Sequence, residues 1–131
     1  MLHRDIKPNN IGFLPDGRLV LFDFGLAKLW RIDGDDTQTR RLTGQTGSLR
    51  YMAPEVALSQ PYNHKAEVFS FATCLWQMCS HEVPYNDCDV ESFMERVRRH
   101  APRPAVAEST DRSAADSPPR TLGDLWLTAT S

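Results

Sequence analysis

A chain of 131 residues with a formal net charge of −2 is long enough for one domain with a modest core. The near-neutral charge argues against a nucleic-acid-binding protein, which would be expected to carry a strongly basic surface. Hydrophobic residues make up 40% and charged residues 24%, as in soluble globular domains. The longest apolar stretch is too short and too polar to be a membrane-spanning segment.

The cysteines and the first residues bear on the cellular compartment. Three cysteines, Cys74, Cys79 and Cys88, form no C-x-x-C pair, and an odd number cannot be fully paired. We expect reduced thiols, with Cys74 and Cys79 buried as small apolar side chains. The first five residues, MLHRD, contain no apolar segment of a secretory signal. The sequence therefore favours a cytoplasmic or nuclear location.

The first predicted element is a small β-hairpin. Two β-prone runs, residues 11–13 and 18–24, flank the tripeptide PDG at positions 15–17. Proline presets φ for a turn, and glycine accepts the positive φ that closes it. The alternation of the second run places Leu19 and Leu21 on one face, and Phe13 is a candidate for the same face.

A loop and three helices are predicted after the hairpin. Residues 30–50 lack apolar periodicity and are rich in Asp, Thr, Arg and Gly, which is typical of an exposed loop. A short helix is expected over 54–58, a core helix over 64–80 and an amphipathic helix over 89–100. The side chains expected to face the core are Val68, Phe71, Ala72, Leu75, Trp76 and Cys79 in the core helix, and Val90, Phe93, Met94 and Val97 in the amphipathic helix.

The composition changes after residue 104 to Ala, Ser, Pro and Asp, which is typical of a disordered segment. Within it, the apolar side chains around Leu125 could form a short turn. We therefore expect a mainly α-helical folded unit with one β-hairpin over residues 1–104, followed by a low-complexity tail over residues 105–131.

Three motifs carry the chemistry of this chain. Residues 3–10, HRDIKPNN, match the protein-kinase catalytic loop H-R-D-[LI]-K-x-x-N. Residues 23–25 match D-F-G, and residues 53–55 match A-P-E. Each tripeptide alone recurs by chance, but their order and spacing are specific, with a hairpin between the first two and a Thr-rich loop before the third. The sequence resembles the C-terminal lobe of a eukaryotic protein kinase over about residues 1–104.

The resemblance implies roles for four residues and two cofactors, ATP and Mg²⁺. Asp5 matches the carboxylate that accepts the proton of the substrate hydroxyl, and Lys7 matches the lysine that steadies the transferred phosphate. Asn10 and Asp23 match the ligands of Mg²⁺, which prefers oxygen atoms. Lys7, Asn10 and Asp23 would thus bind the nucleotide with its cation. Because Lys7-Pro8 resembles the Ser/Thr-directed form of the loop, the expected substrate is a serine or threonine of a protein.

The resemblance also implies regulatory and supporting residues. Arg4 resembles the arginine that binds a phosphate on the activation loop, and Thr43 and Thr46 lie where that phosphate would be added. The alternative is that these two hydroxyls are only solvated loop groups. Ser48 resembles the residue that hydrogen-bonds the catalytic aspartate and lysine. Glu67 stands where the family has an aspartate that anchors backbone N–H groups of the catalytic loop, and its extra methylene still permits that contact.

Part of the family pattern has no counterpart in this sequence. The glycine-rich phosphate loop, the V-A-I-K lysine and its glutamate partner belong to the N-terminal lobe. We therefore expect a partial kinase fold without that lobe, truncated and inactive on its own. Two alternatives are a catalytically dead docking module and a fragment that folds poorly. The combination of Asp5, Lys7, Asn10 and Asp23 favours an enzyme, because a docking module has no chemical need for it.

Overall fold

The computed structural model describes residues 1–30 and 38–99. The predicted hairpin is present, and so are the three predicted helices. The predicted tail over 105–131 lies outside the described residues, as does the first part of the predicted loop. No helix of the described residues is both long enough and apolar enough to cross a membrane. The elements in chain order are single 3₁₀ turns at Pro8–Asn10, Phe24–Leu26 and Leu49–Tyr51, strands β1 (Ile11–Phe13) and β2 (Leu19–Leu21), and helices α1 (Pro54–Ala57), α2 (Lys65–Ser80) and α3 (Val90–Arg99).

The hairpin pairs β1 with β2 in the antiparallel sense, with Gly12 opposite Val20 and Phe13 opposite Leu19. Gly17 closes the turn with a φ of 84°, in the left-handed region that suits glycine. Residues directly opposite one another share a face, so the prediction that Phe13 and Leu19 lie on one face is confirmed. That face is open to solvent, since the exposed fraction of the Phe13 side chain is 72%.

The core forms around α2, but the predicted inward face of this helix is partly wrong. Trp76 is buried as expected, whereas Val68, Phe71 and Cys79 are exposed. The sequence of α2 is apolar nearly all round, so its periodicity fits more than one buried stripe. The face that packs inward contains three small residues, Ala66, Thr73 and Cys74. The buried residues of α2 are Ala66, Phe69, Thr73, Cys74 and Trp76.

Thr73 explains why this stripe was not identified from hydrophobicity. Its side chain is fully buried at 0% exposure, although threonine is polar. The hydroxyl Oγ1 donates to the backbone oxygen of Phe69, 3.0 Å away on the preceding turn. The hydrogen bond offsets the cost of removing the hydroxyl from water, so Thr73 packs as a small side chain.

Helix α3 packs its middle and last turns against the core, where Phe93 and Val97 are buried as predicted. The ring of Phe93 meets the ring of Tyr85 edge to face, with centroids 5.0 Å apart. Val90 was also predicted to face inward, and this is wrong, because it is 67% exposed. Val90 lies in the first turn, which Asp89 caps through Oδ1, and it lines a surface groove instead of the core.

The three cysteines carry free thiols. Cys74 is buried as predicted, and burial raises the pKa of its thiol to about 11. Cys79 is exposed, so the prediction that it acts as a buried apolar side chain is wrong. Cys88 is half-buried.

Candidate active site

The carboxylate of Asp5 is the centre of the site. Its Oδ2 atom is 2.7 Å from the ammonium of Lys7 and accepts from Nδ2 of Asn10 at 3.1 Å. Its Oδ1 atom accepts from the backbone N–H of Ser48 at 2.9 Å. Lys7 also donates to the hydroxyl of Ser48 at 2.8 Å. The structure therefore brings together three of the predicted site residues, and both predicted contacts of Ser48 are present.

The surroundings of Asp5 keep it ionised. Burial raises the pKa of this carboxyl, but hydrogen bonds from Lys7 and Ser48 and the charge of Lys7 outweigh burial, so the pKa lies below its usual range. Asp5 is only 8% exposed. A buried, oriented carboxylate is suited to accept a proton from a hydroxyl group placed against it.

The backbone that presents Asp5 is strained and is held from two sides. Arg4 has a φ of 70°, which is uncommon for a residue other than glycine. Its N–H donates to Oε1 of Glu67 in α2 at 2.6 Å, so the predicted contact of this glutamate is made. Gly47 has a φ of 102°, and a Cβ there would lie 2.4 Å from the carbonyl oxygen of Arg4. Glycine at 47 is therefore required for the close approach of the two segments.

The guanidinium of Arg4 connects three parts of the chain. Its Nε donates to the hydroxyl of Tyr62 at 2.9 Å, and its two terminal nitrogens donate to the backbone oxygens of Thr43 at 2.7 Å and Leu26 at 3.4 Å. Thr46 donates through its hydroxyl to the same Thr43 oxygen at 3.1 Å. Arg4 thus contacts the backbone of Thr43, and Thr46 is hydrogen-bonded to the same backbone oxygen. The Thr43 side chain is exposed.

His3 is a positioning residue that the sequence reasoning did not assign. Its ring is buried, and Nδ1 accepts the backbone N–H of Asp5 at 3.3 Å. Nε2 lies 2.8 Å from the backbone oxygen of Phe22, to which it can donate in the tautomer that leaves Nδ1 as an acceptor. The ring also meets Phe24 edge to face at 5.0 Å. His3 therefore connects Asp5 to the segment that carries Asp23. The sequence feature that pointed to this role is the place of His3 in the HRD tripeptide.

Asn10 and Asp23 carry the amide and carboxylate oxygen atoms that a magnesium ion prefers. The Asn10 side chain donates two hydrogen bonds through Nδ2, and its Oδ1 atom takes no part in them. Asp23 is exposed, and its Oδ1 accepts only a long bond of 3.3 Å from the N–H of Gly25. No group of three or more His, Cys, Asp or Glu side chains that could hold a metal occurs within residues 1–30 and 38–99. Mg²⁺ needs no such group, because it is commonly held by one or two side chains, waters and substrate phosphates.

Two further residues, Arg50 and Tyr51, hold the segment after Ser48 in place by hydrogen bonds that the sequence did not predict. Arg50 donates through one terminal nitrogen to the backbone oxygens of Pro84 at 2.8 Å and Tyr85 at 2.6 Å. The hydroxyl of Tyr51 donates to Oε1 of Gln77 in α2 at 2.6 Å. Sequence patterns gave no signal for these bonds, because each joins residues that are more than 25 positions apart.

Comparison with known proteins agrees with this geometry. A family model described as "Protein kinase domain" matches residues 1–125. The dual specificity protein kinase shkB of Dictyostelium discoideum is 42% identical over 86 residues, which are 66% of this chain and 13% of that protein. The serine/threonine-protein kinase STY46 of Arabidopsis thaliana is 32% identical over 126 residues, which are 96% of this chain and 20% of that protein. The serine/threonine-protein kinase TNNI3K of Mus musculus is 34% identical over 110 residues, which are 83% of this chain and 13% of that protein.

The chain thus spans between 13% and 20% of the length of these curated relatives. The family match extends past residue 104, and the predicted domain boundary at that residue stays a prediction. Because the family model covers most of the residues, the chain belongs to the protein kinase family.

Proposed function

We propose that this chain provides the catalytic loop and the cation-binding residues of a serine/threonine protein kinase. The single observation that carries the proposal is the hydrogen-bonded group of Asp5, Lys7, Asn10 and Ser48, which places a buried carboxylate beside an ammonium. Phosphoryl transfer depends on positioning and charge stabilisation, and this group offers both. The Ser/Thr preference is supported by the Lys7-Pro8 pattern and by the names of two of the relatives.

In the proposed reaction, Asp5 accepts the proton of a serine or threonine hydroxyl as the oxygen of that hydroxyl attacks the γ-phosphorus of ATP. The bond from this phosphorus to the β–γ bridging oxygen breaks, and ADP leaves. Lys7, whose ammonium lies 2.7 Å from Oδ2 of Asp5, would supply positive charge and hydrogen bonds to the transferred phosphate. Ser48 fixes the Asp5 carboxylate through its N–H and the Lys7 ammonium through its hydroxyl. These contacts hold the acceptor and the charge donor in a fixed relation before the substrate arrives, which lowers the entropic cost of the reaction.

The nucleotide side of the site is assigned to Asn10, Asp23 and Lys7. Asn10 and Asp23 would hold Mg²⁺ through their oxygen atoms, and the ion would neutralise charge on the ATP phosphates. Asn10 also donates to both the backbone oxygen and the carboxylate of Asp5, at 2.9 and 3.1 Å. A single side chain would therefore couple the position of the cation to that of the proton acceptor.

We also propose that phosphate is added to the loop at Thr43 or Thr46 and is bound by Arg4. The proposal is supported by the Arg4 guanidinium, which donates to the backbone oxygen of Thr43, and by the Thr46 hydroxyl, which donates to the same oxygen. A phosphate in this part of the loop would form charge-assisted hydrogen bonds with a guanidinium that it reached. Mass spectrometry of the protein from its own cells should find phosphate at these threonines. Phosphate confined to the Ser-containing segment after residue 104 would contradict the assignment.

A docking module that transfers no phosphate is the second candidate function. It is favoured by large apolar side chains on the surface, such as Phe13 at 72% and Leu29 at 86% exposure. Such a module would have no need of a buried carboxylate that contacts lysine, asparagine and serine at once, so we place the kinase function first. Binding of Mg·ATP separates the two candidates, because only the kinase requires it.

Residues 1–131 on their own are expected to transfer phosphate poorly. Asp23, the residue that would hold the cation beside the phosphates, is exposed to water. Two charges about 4 Å apart gain only about 1 kcal/mol in water, so exposed groups align ATP weakly. The proposed experiments therefore use the protein as its own cells make it.

The proposed roles are tested by comparing Asp5→Asn with Asp23→Asn. Both substitutions should remove most phosphoryl transfer. The affinity for ATP in the presence of Mg²⁺, measured by calorimetry, should fall for Asp23→Asn and stay unchanged for Asp5→Asn. The physical reason is that Asp23 would hold the cation, whereas Asp5 acts on the substrate hydroxyl. Equal losses of affinity would show that the two roles are wrongly assigned.

A further inference from the structure

Arg50 holds two consecutive carbonyl groups of the loop between α2 and α3. Its Nη1 atom donates to the backbone oxygens of Pro84 at 2.8 Å and of Tyr85 at 2.6 Å. Tyr85 has a φ of 53°, in the left-handed region, and this local turn lets two consecutive oxygens face the same donor. Because the donor is charged, each bond is stronger than one between neutral groups.

The loop that Arg50 holds is part of the core. Tyr85 is only 5% exposed, and its ring packs edge to face against Phe93 of α3. A loop with a buried aromatic side chain has little freedom to move. The guanidinium of Arg50 is therefore attached to a fixed part of the molecule.

The 3₁₀ turn that carries Arg50 begins directly after Ser48. The N–H of Tyr51 closes this turn on the backbone oxygen of Ser48 at 3.0 Å. On its other side, Ser48 donates its N–H to Oδ1 of Asp5 at 2.9 Å and accepts from the ammonium of Lys7 at 2.8 Å. Arg50 thus holds one end of a short turn whose other end orients Asp5 and Lys7.

We propose that Arg50 is a positioning residue for phosphoryl transfer, which acts through Ser48 by holding residues 48–51 against the loop before α3. This inference rests on the proposed function, in which Asp5 accepts the proton and Lys7 meets the transferred phosphate. A shift of about 1 Å caused far from the reacting atoms can lower a rate by about 100-fold. Loss of the Arg50 bonds would allow such a shift of Ser48, and with it of the two side chains that Ser48 holds.

The same loop offers a matched control. Arg96 of α3 also donates to it, through a bond of 2.7 Å to Oδ2 of Asp87, but this bond does not involve residues 48–51. Arg50→Met and Arg96→Met remove the same guanidinium and keep an unbranched side chain. Arg50→Lys keeps a charged donor that can reach part of the same contact.

The experiment measures kcat and the KM for ATP with Mg²⁺ and a generic protein substrate, with the protein as its own cells make it. Each variant is assayed where urea unfolding shows it to be folded. Arg50→Met should lower kcat by roughly 10- to 100-fold and leave the KM for ATP unchanged, because the turn does not contact Asn10 or Asp23. Arg50→Lys should lose less, and it provides the comparison if Arg50→Met does not fold. Arg96→Met should keep the kcat of the unsubstituted protein.

A double substitution separates positioning through Ser48 from general support of the fold. Ser48→Ala removes the oxygen that accepts from Lys7. If Arg50 acts through Ser48, the combined variant should lose less kcat than the product of the two single losses, since residues that act as one unit are not additive. Losses that multiply would overturn the inference, and so would an unchanged kcat in Arg50→Met, while the proposed function would stand. If the unsubstituted protein were no more active than Asp5→Asn, the proposed function would fail and the inference with it.

Discussion

At the scale of single residues, the site depends on a backbone that is held in an uncommon conformation. Arg4 adopts a positive φ directly before the proposed proton acceptor, and Glu67 holds its N–H at 2.6 Å. Such a conformation costs of order 1–3 kcal/mol and persists only where surrounding contacts enforce it. Gly47 is one of those contacts, because any side chain there would collide with the Arg4 carbonyl oxygen.

Gly47→Ala should therefore lower both stability and phosphoryl transfer. We expect a loss of about 3 kcal/mol or more in the free energy of unfolding, from the strained φ and from a Cβ that would lie 2.4 Å from the Arg4 oxygen. Gly17→Ala is the control, since Gly17 also has a positive φ but no atom lies within 4 Å of the added Cβ. The control should lose only about 1 kcal/mol, measured by urea unfolding. Equal losses would show that the close approach at Gly47 is unimportant.

At the scale of elements, α2 does two things at once. Its first turns supply Glu67 to the catalytic loop, and its inner face supplies Phe69 and Trp76 to the core. The sequence located this helix to within one residue at its start, because the apolar residues of Lys65–Ser80 recur at helical spacing. The sequence did not show which face is buried, because a polar threonine is not expected in a core. Only the structure shows that the hydroxyl of Thr73 is hydrogen-bonded to the backbone oxygen of Phe69.

A pair of phenylalanines on α2 tests the corrected face. Phe69 is 5% exposed and Phe71 is 48% exposed, although they are two residues apart on the same helix. Phe69→Ala should lower the free energy of unfolding by about 3–5 kcal/mol, because it leaves a cavity in the core. Phe71→Ala should change it by less than about 1 kcal/mol. Denaturant unfolding measures the change in the free energy of unfolding for both variants. A larger decrease for Phe71→Ala than for Phe69→Ala would show that the face predicted from the sequence is the buried one.

At the scale of the whole molecule, segments far apart in the chain converge on Asp5. Its own loop provides Lys7 and Asn10, the segment before α1 provides Ser48, and α2 provides Glu67 through Arg4. The motifs made most of this predictable, because their order implies that they meet. The sequence did not reveal the bonds of Arg50 to Pro84 and Tyr85, since these depend on how particular chain segments approach each other.

The central claim, that the group around Asp5 transfers phosphate to serine or threonine, is tested most directly by one assay. The protein as its own cells make it is incubated with Mg²⁺, γ-labelled ATP and a generic protein substrate, and the labelled amino acids are then identified. Asp5→Asn is the matched blank, since it removes the proton acceptor and retains the shape of the side chain. We predict label on serine and threonine that falls by roughly 10²–10⁴-fold in Asp5→Asn. Equal labelling by the two proteins, or label on tyrosine alone, would contradict the account.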